Sequence, residues 1–338
     1  MYQILVNLNI LIILTVLVLS LYILSKSANF FVDNAVKISE ILGLPELIIG
    51  ATIVSLGTTL PELSASVIAA IQGNGDFALG NAVGSVITNT SLILGIGALF
   101  GIIPVDKKTS NKFSILIAVV VLLIFPTIPY KIGNESGLIP QWLGFLLILL
   151  IPVYIYNLIR QEKKEIDDDA NSNDVDTTEA KKKTVLIAIV KIFVSALIIA
   201  FSASALVAAA EILAKRIHIP DVVISSTLVA FGTSVPELST CIVAAKQHHG
   251  GLVIGNIIGA NILNILFVIG LSVALTPEGI TVPQAFYKIH FLGLAIIMTV
   301  FSFFAYTKKI NVISKREGGL LILLYLIYLA ANLLSSMQ

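Results

Sequence analysis

Two glutamates in this chain could do chemistry because of where they fall. Glu62 and Glu237 each sit near the middle of a long apolar run, inside Gly57-Thr58-Thr59-Leu60-Pro61-Glu62 and Gly232-Thr233-Ser234-Val235-Pro236-Glu237. Nearly all the other acids lie in polar loops or near the ends of apolar runs. A charged residue at the centre of a bilayer costs roughly 2.5–3.5 kcal/mol on insertion scales, so a carboxylate held there points to a function. The plain alternative is a pair of protonated, hydrogen-bonded core glutamates. A working pair would instead face each other and hold cations.

Neighbouring residues add oxygens. Thr58 and Glu62 are spaced i and i+4, as are Thr233 and Glu237, so each threonine shares a helix face with its carboxylate. Pro61 and Pro236 remove the amide hydrogens that would bond Gly57 and Gly232. With Gly and Thr adjacent, this predicts a local break that frees backbone carbonyls at membrane depth. A second motif follows, in which Ser85 and Asn89 are again i and i+4, and Gly80 and Gly84 form a small-xxx-small pattern that allows close helix approach. Two carboxylates, hydroxyls, carboxamides and carbonyls make an all-oxygen set of charge −2, which suits hard cations. Calcium takes six to eight oxygens in irregular geometry and fits better than magnesium. Neither Cys nor His occurs in the motifs, which disfavours zinc or copper.

These residues need elements that hold them inside a membrane, and the composition supplies them. The chain has 338 residues, 57% hydrophobic and 12% charged, against about 25% charged in a soluble domain. A conventional soluble enzyme is excluded, and a net charge of +1 offers no electrostatic grip on nucleic acid. Apolar runs of about twenty residues match a hydrocarbon core of roughly 30 Å. We read ten spans, at about 4–30, 46–70, 77–100, 112–130, 138–159, 184–213, 221–246, 252–275, 285–306 and 318–335, hence an all-α polytopic membrane protein. The run Ile4 to Leu24 lacks a basic lead and is too long for a signal peptide, so it reads as a span. Cys241 reads as a core thiol, and His248-His249 as solvated loop.

The chain divides into repeats. Residues 161–183 are hydrophilic, with eight of the twenty acids, and read as a solvated connector between residues 1–160 and 184–338. The glutamate motifs recur at an offset of 175 residues, as do Gly80-Asn81, Gly84, Asn89 and Gly95 in Gly255-Asn256, Gly259, Asn264 and Gly270. Five spans per half, an odd number, make the second repeat inverted, a common plan for secondary transporters. The linker side collects fifteen Lys and Arg, Lys37 and Lys112 among them, against four on the other side. The linker is therefore expected in the cytoplasm and both termini outside.

The paired G-[TS]-[TS]-x-P-E and G-N-x-x-G-x-x-x-x-N segments resemble the sodium/calcium exchanger family of the calcium:cation antiporter superfamily, microbial type. The resemblance implies cation sites midway through the membrane, with Glu62 and Glu237 shared between calcium and sodium. Thr58 and Thr233 match positions that coordinate through the backbone, Thr59 and Ser234 the following hydroxyl position, and Ser55 and Ala230 an upstream carbonyl ligand. Ser85, Asn89 and Asn264 match side-chain ligands. Two departures follow. Ala260, the partner of Ser85, lacks a hydroxyl at what should be an outer sodium site, and Asn264 stands where potassium-dependent and several microbial relatives have aspartate.

The expected function is Na⁺/Ca²⁺ antiport by alternating access, independent of potassium, with spans 1 and 6 as the moving bundle. The rival is Ca²⁺/H⁺ antiport, because mid-membrane glutamates also bind protons. Those relatives usually carry G-N-A-x-E around the acid, whereas this chain reads L-P-E and V-P-E. No enzyme motif or dinucleotide fingerprint is found. No cofactor is expected beyond the transported Ca²⁺ and Na⁺, and no partner beyond membrane lipid and those ions: no nucleic acid and no obligatory protein.

Overall fold

The structure, a computed structural model, describes residues 2–128, 136–169, 179–217, 230–284, 286–307 and 312–336. Its main elements are α1 (Ile10–Leu42), α2 (Glu46–Ile71), α3 (Gly75–Phe100), α4 (Lys107–Ile124), α5 (Gln141–Asp169), α6 (Glu179–Arg216), α7 (Val235–Lys246), α8 (Gly250–Ala274), α9 (Phe286–Tyr306) and α10 (Lys315–Ser336). Among the described residues nine helices are long and apolar enough to cross a membrane. The seventh expected span, 221–246, begins outside the described residues, and α7 is its described part.

Polar residues punctuate the helices where the chain leaves the apolar phase. Asn9, Asn74 and Asp106 accept backbone hydrogen bonds from Leu11, Phe77 and Thr109 at the starts of α1, α3 and α4. Ser314 and Glu317 bond reciprocally at the start of α10, a capping box. Gly43, at φ 62°, ends α1 in the left-handed region that favours glycine.

Several boundaries differ from those read in the sequence. Helix α1 covers 10–42 rather than 4–30, so Lys37 lies in a helix, not in a loop. Helix α4 starts at Lys107 rather than at 112, so Lys112, expected at the end of the span, lies a turn inside it and is buried. Helices α5 and α6 run into the hydrophilic connector, to Asp169 and from Glu179. Glu, Lys and Asp-rich sequence can extend a helix into water through i, i+4 pairs. The loops also hold two short antiparallel ladders that the all-α reading lacked. Strand β1 (Ile103–Pro104) pairs with β4 (Val312–Ile313), and β2 (Gly137–Ile139) with β3 (Ile280–Val282). Each ladder joins a loop of one half to a loop of the other.

Helices α2, α3 and α8 form the interior. The apolar stretch of α8 is 94% buried, against 22% for α1 and 17% for α10. Lipid is as apolar as leucine, so helix association in a membrane relies on close packing and small residues. A Cβ on Gly50 would stand 2.6 Å from the Leu252 carbonyl, and one on Gly259 would stand 2.6 Å from Ala51 Cα. Gly255 meets the Leu47 carbonyl as closely. These glycines let α2 and α8, one from each repeat, touch backbone to backbone. In the first repeat Gly80 faces only the Phe286 ring among the described residues, at 3.6 Å.

The two longest helices, α1 and α6, lie against each other outside this interior. Leu5 and Ile13 pack with Ala208, Ala209 and Ile212 at one end. There the Arg216 guanidinium also donates to the Val6 and Leu8 carbonyls, at 3.1 and 2.7 Å. Exposed Leu, Ile, Val and Phe side chains run along both helices, a surface suited to lipid.

Candidate ion-binding site

Glu62 in α2 and Glu237 in α7 are both completely buried. Asn81 links their two motifs: its amide donates to the Glu62 carbonyl at 3.4 Å and its oxygen accepts from Thr233, four residues before Glu237. The surrounding polar groups repeat the internal symmetry. The Thr58 hydroxyl donates to Asn256 Oδ1 at 3.2 Å, and the Thr233 hydroxyl to Asn81 Oδ1 at 3.0 Å. Each pair takes one residue from each half, and the 175-residue offset converts one pair into the other. The repeats are therefore interlocked across the site.

Asn89 and Asn264, related by the same offset, are each the first residue of a π-helical turn, Asn89–Ile93 and Asn264–Ile269. Such turns interrupt the regular hydrogen-bond ladder and are frequent at functional sites. Both carboxamides are fully buried. Ser85 Oγ lies 3.4 Å from Ser234 Oγ. The matching contact in the other half, Thr59 with residue 260, lacks a hydroxyl because that residue is Ala260, and Thr59 bonds the Ser55 carbonyl at 2.6 Å instead.

The expected helix break occurs in one half only. In the second repeat the helical turn Ala230–Gly232 stops and α7 restarts at Val235, with Thr233 and Ser234 as a turn between them. In the first repeat α2 stays helical through Pro61, and its irregular turn lies upstream at Gly50–Val54. The Ser55 carbonyl already accepts hydroxyls from Thr59 and, at 3.4 Å, Thr58. The loosened carbonyl of Ala51 accepts from the Tyr154 hydroxyl at 3.2 Å. Upstream of the proline, between Leu47 and Ser55, the same helix packs backbone to backbone against the glycines of α8. Ala230 is described only in its backbone.

The donor set has a distinctive deficit. Both oxygens of Glu62, both of Glu237, Asn89 Oδ1 and Asn264 Oδ1 are buried with no hydrogen-bond partner among the described residues. A buried acceptor without a partner is costly, and a buried carboxylate far more so. Six oxygens in this condition, four of them from carboxyl groups, can be satisfied together by a hard cation.

Three residues outside the expected ligand set belong to the same constellation. Asn81 and Asn256 hold the threonines, and their Gly-Asn repeat at offset 175 was the available signal. Asn261, fully buried, bonds Asn89 and has no counterpart in the repeat, where Val86 stands. His249, expected in solvated loop, bonds instead through Nδ1 to Glu46 Oε1 at 2.6 Å. That contact ties the start of α8 to the start of α2, a tertiary neighbour no local pattern announces.

A cavity of about 560 Å³ opens beside the site, lined by Pro61, Ser64, Ser204, Glu211, Thr233 and Pro236 among others. It lies between α2, α6 and the turn before α7, toward the end where α6 stops. At the opposite end of α7 the Gln247 amide donates to Asn29 and Asp33 of α1, at 3.3 and 3.2 Å.

A duplicated, interlocked bundle with paired buried carboxyl groups defines a polytopic membrane protein with an oxygen-lined polar interior. The chain belongs to the sodium/calcium exchanger protein family, whose profile matches residues 12–160 and 187–334, the two repeats without the connector. It is 30% identical over 314 residues to an uncharacterised membrane protein of Methanocaldococcus jannaschii, covering 93% of this chain and 95% of that one. It is 28% identical over 342 residues to the sodium/calcium exchanger MaX1 of Methanosarcina acetivorans, covering 93% and 96%. The solved sodium-calcium exchanger NCX_Mj, soaked with Na⁺ and Sr²⁺, is similar with a TM-score of 0.76 and 28% identity over 94% of this chain and 97% of that one. The family is one of transporters, and cation/Ca²⁺ antiport is the activity that this membership supports.

Proposed function

We propose that the protein exchanges Na⁺ for Ca²⁺ by alternating access, with Glu62 and Glu237 shared between the two ions. The observation that carries this reading is the set of six buried oxygens without partners, four of them on the two glutamates. Two carboxylates in a low-dielectric interior need neutralising charge, which one Ca²⁺ or several Na⁺ can supply, whereas full occupancy by both is repelled. Mutual exclusion couples the fluxes. The ligands are the two glutamates with Asn89, Asn264, Ser85 and Ser234, together with Thr58, Thr59, Thr233 and the Ser55 and Ala230 carbonyls. Thr58 and Thr233 are further supported by their paired asparagines.

Asn264 supports potassium independence, since a carboxamide adds no negative charge for a further monovalent ion. The connector lies in the cytoplasm and the termini outside, so the cavity faces outward. Closure at the other end, where Gln247 binds Asn29 and Asp33, accords with an outward-facing state. The α1–α6 pair, packed outside the interior, is the element that slides to exchange the open end.

Calcium uptake into proteoliposomes under sodium, potassium and proton gradients, applied singly, tests this function. Uptake is expected only when sodium runs outward. Uptake driven by a proton gradient without sodium would replace it with Ca²⁺/H⁺ antiport.

A further inference from the structure

We propose that Asn261 is a positioning residue that commits Asn89 to meet the transported cation through its oxygen, an inference that rests on the ion-exchange reading of this site. A carboxamide is two-sided: one face accepts, the other donates, and only the oxygen can bind a cation. Something must decide which face Asn89 presents.

In this structure a chain of hydrogen bonds decides it. Asn89 Nδ2 donates to Asn261 Oδ1 at 3.1 Å, and Asn261 Nδ2 donates to Thr90 Oγ1 at 2.7 Å. Asn89, Thr90 and Asn261 are buried to within 1% of complete. The nitrogen of Asn89 is thereby used and its Oδ1 alone is left without a partner. Among the described residues the other repeat has no such device. Position 86, which the 175-residue offset pairs with Asn261, is Val86, buried and apolar. Correspondingly, both Nδ2 and Oδ1 of Asn264 lack partners among the described residues. One carboxamide is set as an oxygen ligand before the ion arrives, and the other turns to suit the occupant. Hydrogen-bonded neighbours of metal ligands commonly contribute ten- to a hundredfold in affinity through this kind of orientation.

The test is sodium-driven calcium uptake by wild type, Asn261→Val, Asn89→Ala and the double variant. Asn261→Val installs the side chain of the sister position. Its KM for calcium is expected to rise about tenfold while the maximal rate stays within about twofold. In the Asn89→Ala background it is expected to add nothing, because the residue it orients is gone. Thr90→Val, nearly isosteric, loosens the same chain from its far end and should raise KM in the same direction by a smaller factor; it carries the test if Asn261→Val does not reach the membrane. An unchanged KM in both Asn261→Val and Thr90→Val, or a full additional loss in the double variant, would overturn the assignment. Wild type that shows no sodium-driven uptake would instead overturn the ion-exchange reading beneath it.

Discussion

The two repeats carry the same glutamate motif and treat it differently. In the first, α2 continues through Pro61, its Thr59 hydroxyl returns to the Ser55 carbonyl, and Asn89 is clamped by Asn261. In the second, the helix stops at Thr233-Ser234 before α7, residue 260 is alanine, and the Asn264 carboxamide is unheld. Duplication gave each half the same carboxylate motif, and packing fixed the carboxamide of Asn89 while that of Asn264 has no partner among the described residues. In the proposed exchange, fixed oxygens suit one occupant and movable ones adjust to the other.

The glutamates are where the halves should be equal. Glu62→Gln and Glu237→Gln each remove one charge from the pair without changing shape, and each is expected to abolish calcium transport in a protein that still inserts. Transport assays on both, with yield in the membrane as control, check this; a large difference between them would mean that one half alone holds calcium.

The carboxamides are where the halves should differ. Asn264→Asp adds a negative charge on the unheld side and should lower the calcium KM about tenfold, equivalent to ~1.4 kcal/mol, well within the Coulomb attraction of a nearby charge. That gain should fade as pH falls, because the new carboxyl is then protonated. Calcium KM measured across pH checks the sign.

Packing offers a comparison in stability. Gly259→Ala places a methyl group 2.6 Å from Ala51 Cα and should cost about 1–3 kcal/mol through strain between α2 and α8. Gly80→Ala meets only the Phe286 ring at 3.6 Å among the described residues and should stay within about 0.5 kcal/mol. Thermal unfolding in detergent separates them. The smallest effect is expected from Ala260→Ser, which restores the missing partner of Thr59. It should strengthen sodium binding or steepen its dependence, read from the Hill slope for sodium; an unchanged slope and affinity would remove hydroxyl loss at residue 260 as a source of asymmetry.

Much of this was legible in the sequence because membranes punish misplaced polarity. Apolar runs marked the helices, and two acids inside them marked the centre, since few other reasons place a glutamate there. The fixed 175-residue offset exposed the duplication. What stayed hidden was tertiary. The continuation of α2 through Pro61 has no local signal, because Gly, Thr and Pro together read as a helix break. Burial of Lys112 and the contact of His249 with Glu46 arise from neighbours distant in the chain. The ladders β1–β4 and β2–β3 are too short to leave a period. Asn261 escaped because Val86 breaks the repeat at that position, so a search for recurring residues passes over it.

In the proposed exchange, sodium and calcium compete for one pair of carboxylates. Equilibrium binding of labelled calcium to the purified protein, measured as sodium is raised at constant ionic strength, tests this most directly. Sodium should displace calcium completely, with a dependence steeper than one-for-one, and neither Glu62→Gln nor Glu237→Gln should retain the high-affinity calcium that sodium displaces. Calcium that stays bound at saturating sodium, or sodium-sensitive calcium binding that survives in both variants, would contradict it.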